Sequence, residues 1–161
     1  MGDMNARFAE AVLLGDISPE LLTDQSIPVR RCLVPPDAID ERGRLSVETI
    51  LRFGEQVRNS KDSTLLLTDL PLKMTPFVSI FGYTQRRKRL AVVSTAGLVN
   101  VDQPNRLSSR LQNVLAHELG HLSGLRHCKD RRCVMRPVID ASELDQRPLV
   151  PCTTCAAAAA G

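Results

Sequence analysis

Tryptophan is absent from this chain of 161 residues, tyrosine occurs once, and aromatic residues make up only 3%. Flat side chains are what stack bases and sugars, so a binding platform for either is not expected. Strong charge of one sign is missing as well. A formal net charge of +3 is too mild by itself to indicate nucleic acid or an anionic membrane surface as partner. No apolar run approaches the length that spans a bilayer. The stretch Met1 to Ala11 carries acidic residues and has no signal-peptide core. These absences lead us to expect a single soluble, cytoplasmic domain, monomeric, with no nucleic-acid or membrane partner. Histidine is scarce too, at three residues, and their placement carries the most information in the chain.

All three fall within His117-Glu118-x-x-His121-x-x-Gly124-x-x-His127. His117 and His121 are four apart in a segment with helical periodicity, so both imidazoles leave one face about a turn apart, as two ligands of one metal ion must. In H-E-x-x-H the glutamate is the general base acting on a metal-bound water, a role that falls here to Glu118. Gly124 suits the left-handed backbone that ends a helix. A sharp turn there returns His127 toward the same metal.

The sequence runs on into Cys128-x4-Cys133-Val134-Met135 and later Cys152-x-x-Cys155. Two close cysteine pairs separated by a short loop have the ligand spacing of a closed, four-thiolate zinc site. Two disulfides are the alternative. The lack of a secretory signal and the neighbouring histidine site favour thiolates. Four thiolates around a divalent ion leave a formal charge near minus two, which Arg126, Lys129, Arg131, Arg132 and Arg136 are placed to offset.

The extended histidine motif resembles the zinc signature of the metzincin metallopeptidases, and its run into Cys128, Cys133, Met135, Cys152 and Cys155 resembles the archaemetzincins. The resemblance implies a catalytic zinc held by His117, His121 and His127 with one open position, a second, structural zinc on the four cysteines, and Met135 in a tight turn beneath the catalytic zinc. It implies a zinc-dependent peptidase that hydrolyses peptide or protein substrates by a zinc-activated water, with Glu118 as general base. Whether it acts on chain ends or internally stays open. The alternative is a catalytically weak or inactive zinc-stabilised module that binds peptides or regulates. Some metzincins carry a tyrosine two residues after the methionine, where this chain has Pro137; its only tyrosine is Tyr83. Around Cys32, the run Arg31 to Asp37 loosely resembles the cysteine-switch segment of matrix metalloproteinases, although the alternation of Val29 to Val34 reads as a strand with Cys32 in or beside the core.

Along the chain, Arg7 to Leu14 and Val29 to Val34 read as strands, with a brief Pro19-led helix between them. Ser46 can cap a helix carrying Val47, Ile50, Leu51 and Val57. The continuous apolar run Thr64 to Leu70 suits a strand buried on both faces, and Pro71 and Pro76 bracket a loop after it. Phe77 to Thr84 and Leu90 to Thr95 form a hairpin across the basic turn Gln85 to Arg89; the metzincin resemblance implies an antiparallel edge strand lining the cleft, for which Phe77 to Thr84 is the candidate. Ser108 or Ser109 can cap the histidine helix. The predicted fold is α/β, a small twisted mixed sheet with an antiparallel edge strand and two main helices, plus a short zinc-clamped C-terminal part. One metallopeptidase domain is expected over residues 1–155, divided near Gly124 into 1–124 and 125–155, with 156–161 a patternless tail.

Overall fold

Why the apolar runs are continuous, where a half-solvated strand would alternate, is explained by what covers them. A computed structural model describes residues 7–99 and 103–160. The start of Met1 to Ala11 and the middle of the Ala96 to Asn105 connector lie outside them. The strands are β1 (Glu10–Leu14), β2 (Val29–Cys32), β3 (Leu45–Ser46), β4 (Thr64–Thr68), β5 (Leu72–Met74), β6 (Phe77–Ile80), β7 (Gly82–Gln85) and β8 (Leu90–Ser94). The helices are α1 (Val47–Val57), α2 (Leu107–Leu122) and α3 (Thr153–Ala160). The main sheet has the order β2-β1-β4-β8-β7, parallel except for β7, which runs antiparallel to β8 at one edge. Every residue of β1, β4 and β8 is buried, because helices cover both faces.

Alternate side chains feed the two cores. Leu65, Leu67, Ala91 and Val93 pack with Leu111, Val114 and Leu122 of α2, whereas Leu66, Leu90 and Val92 pack with Val47, Ile50 and Leu51 of α1. Each such leucine contributes about 1.5–3 kcal/mol by leaving water. α1 starts as the sequence indicates, with Ser46 Oγ accepting from the Thr49 amide at 3.3 Å. α2 does not. A 3-10 turn at Pro104–Arg106 runs straight into it, the Leu107 amide bonds to Pro104 O, and Ser109 Oγ donates to Arg106 O at 3.0 Å. The turn carries the helix start upstream of both serines, which therefore lie inside α2 and do not cap it.

Two further expectations are corrected. The run Phe77 to Thr84 is two strands: β6 pairs with β5 in a second, three-stranded sheet of order β3-β5-β6, and only β7 forms the antiparallel edge of the main sheet. The loop expected between Pro71 and Pro76 holds β5, anchored by the buried Leu72. The patternless tail is also ordered. Ala156 to Ala160 continue α3, since alanine has the highest helix propensity and Ala159 gives the helix something to pack on. Among the described residues no helix is long and apolar enough to cross a membrane.

Buried Arg110 ties α2 to the C-terminal segment through a two-pronged bond to Asp145, with Nε to Oδ1 and Nη2 to Oδ2 both at 2.7 Å. The Arg110 guanidinium holds the Asp145 carboxyl below its ordinary 3.8. A depressed folded value means that this carboxylate stabilises above pH 3.8 and ceases to as the pH falls through the folded value. Asp145→Asn should therefore lower Tm at neutral pH, with the difference from wild type shrinking as the pH drops past 3.8. A difference independent of pH would show that the charge is not what matters.

Candidate metal and catalytic site

α2 ends in a turn with two characteristic bonds, Gly124 N to His121 O at 3.0 Å and Leu125 N to Gly120 O at 2.9 Å, and Gly124 has φ +95. This is the glycine-terminated helix stop that lets the chain reverse. It brings His127 to the other two histidines, with ring centroids 5.3 Å from His117 and 4.9 Å from His121. One ring nitrogen from each of the three lies within 4.8 Å of the others.

The outward nitrogens are tied down by the backbone. His117 Nδ1 lies 2.7 Å from Val134 O, and His121 Nδ1 lies 2.9 Å from Leu125 O. A carbonyl only accepts, so each Nδ1 carries the hydrogen and each Nε2 presents a lone pair. Burial pushes the His117 pKa down to about 4 and lowers that of His121 too, which keeps both rings neutral. The two Nε2 atoms nevertheless face each other at 3.1 Å. Opposed lone pairs at that range repel unless a cation sits between them. The edge of a tetrahedron with metal–nitrogen bonds of about 2 Å is about 3.3 Å, so the donor set fits zinc.

Glu118 is 3% exposed beneath β7. Thr84 Oγ1 donates to its Oε2 at 2.6 Å, and a Cβ at Gly82 would stand 2.6 Å from Oε1. The strand can lie this close to the carboxylate only because position 82 has no side chain. Burial raises the Glu118 pKa to about 7, against the opposing pull of the Thr84 hydroxyl. Met135 is fully buried below the helix. Its Sδ would be 2.2 Å from a Cβ at Gly120, so the glycine between the two helical histidines is what admits it.

All five cysteines are free. The sulfurs of Cys128, Cys133, Cys152 and Cys155 lie within 4.8 Å of one another, a second group that could hold a metal. Cys128 and Cys152 are 3.8 Å apart, far beyond a disulfide bond and equal to the edge of a tetrahedron with zinc–sulfur bonds of about 2.3 Å. Amides already point at the sulfurs: Met135 N at 3.4 Å and Cys152 N at 3.3 Å from Cys133 Sγ, and Asp130 N at 3.5 Å from Cys128 Sγ. The Cys155 amide leads in lowering the Cys152 thiol to about 7. Arg126, Lys129, Arg131 and Arg132 are exposed around this cluster, and Arg136 is half-buried.

Two candidates fall away from the site. Cys32 ends β2, at the opposite edge of the sheet from β7 and thus four strand spacings away, about 19 Å, so it cannot reach the histidines as a switch. Tyr83 packs against the α1 core, on the sheet face opposite the one Gly82 and Thr84 present to Glu118. Two contacts on Glu118 are not legible in the sequence alone, those of Gly82 and Thr84. A glycine inside a strand run is a usable sign of close approach for the first. Nothing local marks the second.

Residues 41–159 match Peptidase family M54. The archaemetzincin of Methanopyrus kandleri is 32% identical over 137 residues, covering 84% of this chain and 78% of the relative. Its crystal structure superposes with a TM-score of 0.79 at 26% identity, over 95% of this chain and 94% of that one. The archaemetzincin of Archaeoglobus fulgidus shares the fold, with a TM-score of 0.75 at 22% identity over 92% and 98% of the two chains.

Proposed function

Because the chain belongs to peptidase family M54 and is a zinc metallopeptidase of the archaemetzincin type, we propose that it hydrolyses peptide bonds at the histidine cluster, with His117, His121 and His127 holding one zinc and Glu118 as general base. The observation that carries this reading is the buried Glu118 carboxylate, fixed by Thr84 beside two imidazoles held neutral. A metal site that only shaped the fold would have no use for such a group. The bound ion supplies Lewis acidity, polarising the substrate carbonyl and making water a better acid.

The chain's own residues do the rest. Thr84 engages Oε2 and leaves Oε1 of Glu118 to take a proton from the attacking water, and the same carboxyl then returns it to the departing amine. A value near 7 suits both halves of that exchange at neutral pH. β7 offers its outer edge for an extended substrate to pair with as an added strand. The four cysteines hold a second, structural zinc, and Met135 supports the histidines by packing.

Digestion of a peptide library by zinc-loaded protein tests the reading. Defined cleavages that vanish on chelation support it. Full zinc loading with no cleavage of any peptide would favour a peptide-binding or regulatory module. Thr84→Val leaves the carboxylate without its orienting bond. A hydrogen bond to a charged group is worth about 1.5 kcal/mol or more, so kcat/KM should fall at least about tenfold at unchanged zinc content. Unaltered kinetics would show that Thr84 does not orient the base.

A further inference from the structure

Two arginines are buried among the described residues, and they are treated differently. Arg110 has the Asp145 carboxylate. Arg147, 8% exposed, has no carboxylate within ion-pair distance among the described residues. A buried guanidinium is costly unless its donors are used. Those of Arg147 go to main-chain carbonyls, Nη1 to Val134 O at 2.8 Å and Nη2 to Arg136 O. These are the carbonyls on either side of Met135.

Val134 O is also the oxygen that receives Nδ1–H of His117 at 2.7 Å. A carbonyl oxygen has two lone pairs, so it can serve both donors at once. The backbone of Arg147 is in turn anchored to α2, where Asn113 Nδ2 donates to Arg147 O at 3.2 Å, one helical turn before His117. A closed loop of contacts results, from α2 through Asn113 to Arg147, through the Val134 oxygen to the His117 ring, and back to α2.

We propose that Arg147 is a positioning residue for the histidine site: its guanidinium grips both carbonyls flanking Met135 and, through the shared Val134 oxygen, fixes the ring of His117. Resting on the reading that the three histidines hold a metal, this makes Arg147 an outer partner of that ion although it touches neither ion nor ligand. A planar fork is needed to span two carbonyls, so lysine can replace it only in part.

The test measures zinc affinity of the histidine site by chelator competition in protein that keeps its cysteine-site ion, together with the visible spectrum of cobalt placed at the histidines. Loss of an outer partner typically costs 10–100-fold in metal affinity, and Arg147→Gln should fall in that range with an altered cobalt spectrum. Arg147→Lys, retaining one donor, should lose less. In a His117→Ala background the Arg147 substitutions should cost nothing further, because the ring they act through is gone.

Wild-type affinity and spectrum in a folded Arg147→Gln would overturn the proposal, as would a loss of equal size with and without His117. Should the glutamine variant fail to fold, the lysine variant decides by the same two comparisons. A wild-type protein that takes up no ion at its histidines would refute the functional reading instead, a result distinct from normal uptake that ignores position 147.

Discussion

Glu118→Gln is expected to lower kcat/KM toward peptides by roughly 10²–10⁴-fold, the usual loss when a general acid–base group is removed, while both metal clusters stay loaded. Glutamine has nearly the same shape, so it fits beneath Gly82 and its amide oxygen can still accept from Thr84. What it cannot do is take a proton. The variant should be at least as stable as wild type, because burial is what lifts the carboxyl pKa to about 7 and a neutral amide escapes that cost. Zinc content, Tm and kinetics on one preparation separate the outcomes. Activity within about tenfold of wild type at full zinc loading would remove Glu118 from the mechanism.

Metal removal should proceed in two steps with different consequences. On the proposed reading the histidine site offers three protein ligands and an open position, whereas the four cysteines would close around an ion completely. A mild chelator should therefore take one zinc, abolishing hydrolysis and leaving the sheet folded. Taking the second should unfold the segment after Gly124. The apolar cluster there has Leu125, Val134 and Met135 as its buried members beside Cys133, worth about 1.5–3 kcal/mol each. Structural zinc in small domains contributes about 10–16 kcal/mol, so the ion outweighs that core. Zinc stoichiometry with hydrogen exchange at each step checks this. One zinc per fully loaded chain, or loss of both ions together, would contradict it.

What could be read from the residues alone follows how local each feature is. His117, Glu118, His121 and His127 lie within one helix and the turn after it, so periodicity and one glycine suffice to bring them together. The cysteines fall into two pairs, Cys128 with Cys133 and Cys152 with Cys155, and it is the spacing within each pair that shows. The cradle around Glu118 is different in kind, since Thr84 reaches it from 34 positions away. Arg147 reaches Val134 across 13 positions, in a segment with no regular pattern. The division of Phe77 to Thr84 was hidden because both halves are strand-like in composition. Where the chain passes from the small sheet to the main one becomes clear only when Gly82 is seen over the carboxylate. The start of α2 was misplaced for a related reason, two serines being a plausible cap until the turn at Pro104 makes one unnecessary.

The position of the last cysteine bears on how the protein is made. Ribosomes deliver the sheet first, α2 next, and Cys155, on α3, after every other residue of either cluster. A nascent chain already carrying Glu118 and all three histidines still lacks the fourth cysteine of the group that surrounds the Met135 turn beneath α2. On the proposed reading, the four-cysteine site, and with it the support for the Met135 turn, is completed only once translation has passed Cys155.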